Sequence, residues 1–252
     1  MDSRVPLDVA YSNLPSPAAI ASDLIARANI TSPPVDPQVV VRLWPNLDII
    51  EEDLDGDGYL IPVGADCAEI IVSRNFSPRR RRFTAAHELG HWVLQQRGLA
   101  PRFENDPAIE RWCDAFAASI LMPEPWILSY LGDWWNIGSV KELAEGYQHF
   151  GVSMPAFHIR ATEVGGVDIA YRPARGVEQR TRFHLQRSTY GLAERIVREV
   201  ERQATVGSKE VLRLRFDLGK RICEVVAARS ESPDDSYSLI ASWKFLSSFE
   251  GR

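Results

Sequence analysis

Two histidines and three carboxylates carry the chemistry open to this chain. His87-Glu88-Leu89-Gly90-His91 is an H-E-x-x-H sequence. On a helix, positions i and i+4 share a face, so the imidazoles of His87 and His91 point the same way. Two imidazoles held like that can take two corners of a zinc tetrahedron. Glu88, turned by about 100° from His87, stands beside such a metal rather than on it, where it can act as base toward water that the metal activates. The plainer alternative is an amphipathic helix that carries two histidines by accident.

Zinc needs a third protein donor. An H-E-x-x-H-x-x-G-x-x-H site is excluded, because Leu94 and Arg97 stand where that pattern has its glycine and last histidine. The next helix offers Glu110, with Asp114 four residues on and therefore on the same face. In that arrangement the first carboxylate binds zinc and the second accepts the far N–H of a ligating imidazole and fixes its tautomer. Glu104 and Asp106, in the preceding Pro- and Asn-containing loop, are the alternative donors, and a solvated surface charge is the alternative for Glu110. Ala115, Ala117, Ala118 and Ser119 are small and let this helix approach its neighbour closely. Gly90 costs about 1 kcal/mol inside a helix relative to Ala, so its presence suggests the same crowding. Cys113 falls between the two carboxylates and reads as a small packed residue.

Arg82-Phe83-Thr84-Ala85-Ala86-His87-Glu88-Leu89-Gly90-His91, followed by Glu110, Asp114-Ala115-Phe116-Ala117 and Ile120-Leu121-Met122-Pro123, resembles the ImmA/IrrE family of metallopeptidases. The family pattern is R-F-T-x-A-H-E-x-G-H and then E-x-x-A-N-x-F-A-x-x-L-L-M-P; this chain has Cys113 for the Ala and Asp114 for the Asn. The resemblance implies a gluzincin-like zinc endopeptidase with His87, His91 and Glu110 as ligands and Glu88 as base. Asp114 can still accept a histidine proton. Zn²⁺ is the implied cofactor, with Mn²⁺ as an alternative activating metal. The implied substrate is a helix-turn-helix repressor, whose cleavage releases transcription after stress or in a mobile element. The competing reading is a non-catalytic, metal-stabilised regulator or toxin–antitoxin component that binds a repressor. Glu88 speaks against it, since a scaffold has no use for a base there.

The positioning elements are legible from caps and periodicity. Ser77-Pro78 opens a helix that runs to Gln96 and stops before Gly98; Asp106-Pro107 opens a second that ends at Met122-Pro123. Ser16-Pro17 opens another through Ala28, and a short helix is expected over 38–43. Leu47 to Ile50, Gly58 to Val63 and Ala68 to Ser73 read as strands. The acidic stretch Asp53-Leu54-Asp55-Gly56-Asp57-Gly58 suggests a hairpin turn rather than a calcium loop, for which the twelve-residue pattern and its terminal Glu are missing. Either of the last two strands could be the edge on which an extended peptide docks. Arg79 to Arg82 is a basic run that opposes the helix dipole and points to an acidic neighbour or simply a solvated face.

Trp126, Trp134 and Trp135 follow the second helix as packing residues. Ser139-Val140-Lys141-Glu142 is a capping box, and with a helix from Met154 to Glu163 it frames a helix-turn-helix-like pair. Only Arg160 and His158 in its second helix could read bases, so direct DNA binding is not expected. Beyond residue 166, an amphipathic helix over 189–203 and strands over 211–216, 222–228 and 236–242 make a small α+β domain, with a sensor or substrate-recognition role proposed for it.

The fold expected is therefore α+β. A flexible N-terminus (1–15) precedes a mainly helical zinc-peptidase domain with a small three-stranded sheet (16–136). The helical pair (137–165) and the C-terminal domain (166–252) follow. With 252 residues, 45% apolar and 25% charged, the composition is that of a globular protein. The net charge of −5 disfavours a general nucleic-acid binder. No apolar run approaches the roughly 20 residues of a membrane span, and the first residues lack a signal-peptide core. Cys67, Cys113 and Cys223, odd in number and far apart, fit a reduced, cytoplasmic setting. The oligomeric state is not legible.

Overall fold

A computed structural model describes residues 14–63, 67–99, 106–132, 141–173, 181–185, 190–203, 211–218, 221–229 and 237–247. The expectations for residues 1–13, Glu104, Trp134, Trp135 and Ser139-Val140 lie outside those residues. The architecture is α+β. The chain falls into two compact units, one of residues up to 126 together with 150–153, the other of 127–149 and residues from 154 onward.

Four helices of the first unit start with one device: an N-cap side chain that accepts an amide, then a proline. Ser16 accepts from Ala19 (3.3 Å) at the head of α1 (Pro17–Arg27), and Asp36 from Gln38 (3.0 Å) at α2 (Pro37–Val41). Ser77 accepts from Arg80 (3.4 Å) at α3 (Pro78–Gln96), and Asp106 from Ala108 (2.8 Å) at α4 (Pro107–Leu121). The cap satisfies an orphan donor, and proline has none to satisfy. Trp112 of α4 stacks on Phe116, ring centroids 5.5 Å apart, and donates its indole N–H to the Pro15 carbonyl (2.8 Å), so the chain before α1 is tied to α4.

Three strands precede α3 in the chain: β1 (Leu47–Glu52), β2 (Gly58–Pro62) and β3 (Ala68–Ser73), of which β2 and β3 pack against it. Their order is β1-β3-β2, with β1 parallel and β2 antiparallel to β3. The expected hairpin between β1 and β2 does not form, because β3 inserts between them. Burial explains the order. Ile70, Ile71 and Val72 of β3 are all buried, as a central strand requires. β1 carries Asp48, Glu51 and Glu52, and β2 ends in Pro62, a residue suited to edges. The strand at 68–73 is thereby removed as a docking edge, and β2 remains.

The acidic stretch and the basic run answer each other. Arg80 pairs with Asp57 (2.7 Å) and Arg81 with Glu51 (2.7 Å), which fastens the start of α3 to the β1–β2 connection and to β1. Arg80 also lies 4.0 Å over the Phe76 ring. Such exposed pairs contribute at most about 1 kcal/mol each, but they neutralise cations that the helix dipole disfavours. Arg82 instead donates to the Gly151 carbonyl (2.8 Å), whose residue has a φ of +64° that favours glycine.

In the second unit, the end of α5 (Glu124–Leu131) is followed by α6 (Lys141–His149) and α7 (Met154–Gly165). Then come β4 (Asp168–Pro173), β5 (Arg182–His184), α8 (Tyr190–Gln203), β6 (Leu212–Asp217), β7 (Arg221–Arg229) and β8 (Tyr237–Ser247). The sheet is antiparallel, ordered β5-β4-β8-β7-β6. Ile196, Val197 and Val200 of α8 pack on Cys223, Val225, Ala227, Leu239, Ala241 and Trp243. Alternate residues of the same strands, Val226, Ile240 and Ser242, are buried as well. Among the described residues, therefore, both faces of β7 and β8 are covered. The sequence suggested three strands here; β4 and β5 are additional. β4 carries Asp168 and ends in a proline, and β5 spans three residues, so neither gives an alternating apolar signal. The α6–α7 pair is part of this unit. Phe157, His158, Ala161 and Thr162 of α7 are buried, and the Tyr171 ring of β4 meets His158 edge-on at 5.0 Å.

α3 and α4 meet most closely at Gly90. A Cβ there would lie 3.3 Å from both Cα and Cβ of Cys113 and 3.2 Å from the Phe116 ring. Gly90→Val should therefore destabilise the chain by the roughly 1–3 kcal/mol typical of overpacking, although it replaces a poor helix former. Urea denaturation followed by circular dichroism measures this, and an unchanged midpoint would contradict the close approach.

Candidate metal centre

His87 and His91 lie one turn apart on α3, and Glu110 and Asp114 one turn apart on the facing side of α4. The four side chains meet. His87 Nδ1 lies 2.9 Å from Asp114 Oδ1. His87 Nε2 lies 3.2 Å from Glu110 Oε2 and 3.2 Å from His91 Nε2, and His91 Nε2 lies 3.6 Å from Glu110 Oε1. Asp106 caps α4 with its side chain, while Glu104 lies outside the described residues.

These contacts fix the proton inventory. A carboxylate only accepts, so the hydrogen bond to Asp114 places the His87 proton on Nδ1. His87 Nε2 then presents a lone pair toward Glu110 and His91. Burial, and next the neighbouring His87, push the His91 imidazole below its ordinary pKa and favour its neutral form, opposed by Glu110 and Asp114. Neutral imidazole is the form that ligates. Acceptor atoms thus converge where a proton or a cation must sit between them. Two ligands on a tetrahedral zinc at about 2.0–2.1 Å are about 3.3–3.4 Å apart, and the observed spacings of 3.2, 3.2 and 3.6 Å bracket that edge. His87, His91 and Glu110 could therefore hold zinc with no rearrangement of the helices.

Glu88 stands apart from this group. Burial raises its carboxyl pKa; His87 opposes that, Glu110 adds to it, and a hydrogen bond from the Leu60 amide opposes it. The last contact ties Glu88 to β2, and the strand register explains it. Val63 donates inward to Cys67, and Asp57 accepts inward from Ser73. Backbone groups alternate in an antiparallel pair, so those of Gly58, Leu60 and Pro62 point outward. Among the described residues, β2 has no neighbour on that side. Glu88 is thus hydrogen-bonded to the open edge of the sheet.

Sequence reasoning missed two features. The Leu60–Glu88 bond depends on strand parity across a turn and left no local signal. The second is Cys113: its Sγ and a ring nitrogen from each of His87 and His91 all lie within 4.8 Å of one another. The signal available for it was the departure from Ala at that position of the family pattern.

Fold and site together define a protein whose first unit pairs an H-E-x-x-H helix with a carboxylate-bearing helix around a metal-competent centre. Comparison with known proteins agrees. Residues 46–162 match the family model of the IrrE N-terminal-like domain, Peptidase M78, so this stretch of the chain is similar to the ImmA/IrrE family. The chain is 33% identical over 110 residues to the radiation response metalloprotease IrrE of Deinococcus radiodurans; the match covers 40% of this chain and about a third (33%) of that protein's length. In fold, it is similar to a Mycobacterium tuberculosis transcriptional regulator of known structure. That likeness has a TM-score of 0.50 at 13% identity and covers 95% of this chain and 78% of the other.

Asp114 is the test of the tautomer argument. Asp114→Ala should weaken zinc affinity by about 10- to 100-fold, read by competition with a chelator of known affinity. Unchanged affinity would make Asp114, which is 60% exposed at its side chain, a surface charge.

Proposed function

We propose that this chain is a metal-dependent endopeptidase that makes a site-specific cut in a helix-turn-helix repressor. The observation that carries the hydrolytic part is the convergence of His87, His91 and Glu110 with Glu88 held beside them at an open strand edge. In this reading, His87, His91 and Glu110 hold the ion, and Asp114 keeps the His87 lone pair aimed at it. When bound there, zinc, or manganese in its place, would supply Lewis-acid chemistry: a polarised peptide carbonyl and a water made nucleophilic near neutral pH.

Glu88 takes the proton from the attacking water and delivers it to the leaving amine nitrogen. Its burial raises its proton affinity toward what that exchange needs. The scissile segment docks as an extended strand on the outward side of β2, where Gly58 offers both backbone groups and Leu60 and Pro62 offer carbonyls. Pro62 has no amide to give, so pairing weakens at that end.

The choice of substrate rests on the family resemblance and on a feature of this chain. Its second unit, which includes the helical pair, exceeds what peptide hydrolysis requires, and added surface is a way for a protease to select one folded partner. We assign residues 166–252 to the control of when or what the enzyme cuts. Among the described residues, no helix is long and apolar enough to cross a membrane.

Two variants separate holding the ion from using it. Glu110→Ala should bind zinc more weakly, because it lacks the carboxylate donor of the hydrolytic set, whereas Glu88→Gln should keep zinc and lose peptidase activity. Metal analysis of both purified proteins decides, and full zinc occupancy in Glu110→Ala would assign the third donor elsewhere. The substrate is tested by incubating the full chain and zinc or manganese with the repressor encoded beside it and mapping fragments by mass spectrometry. One defined cut, absent with Glu88→Gln, is expected. Degradation of casein at a comparable rate with the repressor intact would refute the assignment.

A further inference from the structure

Glu110 is not the only third donor within reach of the two imidazoles. Cys113 lies three residues further along α4, completely buried, with its sulfur in the 4.8 Å cluster of ring nitrogens. Its backbone sits against Gly90, where a Cβ would already be 3.3 Å from it. The packing of α3 on α4 therefore holds the sulfur near the histidines. The hydrolytic reading above uses Glu110 and leaves this thiol without a task. Burial, then Glu110, Glu88 and Asp114, push the thiol well above its ordinary pKa. In the metal-free protein it is therefore an S–H group, a poor nucleophile and a poor target for oxidants. Ligation is the chemistry left to it, and sulfur selects differently from carboxylate: thiolates favour soft ions, carboxylates hard ones.

We propose that Cys113 gives the centre a second donor set, His87, His91 and Cys113, which takes thiophilic divalent ions such as Cd²⁺ in place of the His87, His91 and Glu110 set. This inference rests on the metal-centre reading above. As the sulfur–metal bond forms, the S–H bond breaks and one proton leaves to solvent for each ion bound. Glu110, 41% exposed at its side chain, is released to water. On a zinc-sized ion the nitrogen–sulfur edge is about 3.6 Å, so the cluster must contract by up to about an ångström. A larger ion requires less contraction, which favours Cd²⁺ further.

The experiment uses the full chain in a Cys67→Ser background, because Cys67 is exposed and would add a thiolate signal of its own. Chelator-treated protein is titrated with Cd²⁺ alone and the ultraviolet sulfur-to-cadmium charge-transfer band is recorded, with proton release measured in weak buffer. The expected result is a band that saturates at one ion per chain with one proton released. Cys113→Ala and Cys113→Ser should abolish the band and weaken Cd²⁺ binding at least tenfold, about the smallest loss expected even for an outer partner of a ligand. Glu110→Ala should keep it. Cd²⁺ binding without a thiolate band, or a band that survives in Cys113→Ala, overturns the inference. Those outcomes leave the metal-centre reading standing if zinc still binds; failure to bind either ion overturns both.

Discussion

The site depends on one steric fact: α3 and α4 can touch at Gly90 and Cys113. Each helix presents two side chains separated by one turn, and the pairs meet only if the axes come close. A residue larger than Gly at 90 meets the backbone of α4, which cannot swing aside as a flexible side chain would. Gly90 also weakens α3 by about 1 kcal/mol relative to Ala. That cost is offset where tertiary packing supplies most of a helix's stability. Trp112, stacked on Phe116 and bonded through its indole to Pro15, ties α4 to the chain before α1.

Much of this was legible because it is local. Three X-Pro caps announced three helix starts to within a residue or so, and the i, i+4 spacings of His87 with His91 and of Glu110 with Asp114 specified shared faces. What the sequence could not give was pairing between distant segments. The acidic stretch at 53–58 looked like a hairpin turn, and nothing nearby indicated that β3 would take the place between β1 and β2. The decision lies in the relative burial of three strands, since Ile70, Ile71 and Val72 compete for the centre against strands carrying charges or a proline. β4 and β5 escaped for a related reason. A strand that begins with Asp168 and one of three residues do not reveal themselves before their partners are known. Arg79 to Arg82 was ambiguous alone; its ion pairs emerge only once Asp57 and Glu51 are folded beside it.

The two units use their helices differently. In the first, the α3–α4 interface is interrupted by ionisable groups that gather on one patch, a costly arrangement unless something is held there. In the second, α8 covers one face of the sheet with aliphatic side chains alone, and the opposite face is buried too. A conventional apolar core of that kind suits a part that must keep its shape, while the chemistry is confined to the part where charge is concentrated.

The outward side of β2 has a further consequence, for solubility. An unpaired strand edge is a template on which other chains can aggregate, and proteins protect such edges with prolines or charges. At the three outward positions of β2, Pro62 has no amide, the Leu60 amide is taken by the Glu88 carboxylate, and only Gly58 keeps a donor to offer. A stray strand therefore finds few amides to bind. The glutamate of the H-E-x-x-H motif thus stands at the edge, and an incoming chain must offer enough contact elsewhere to displace it before the Leu60 amide becomes available.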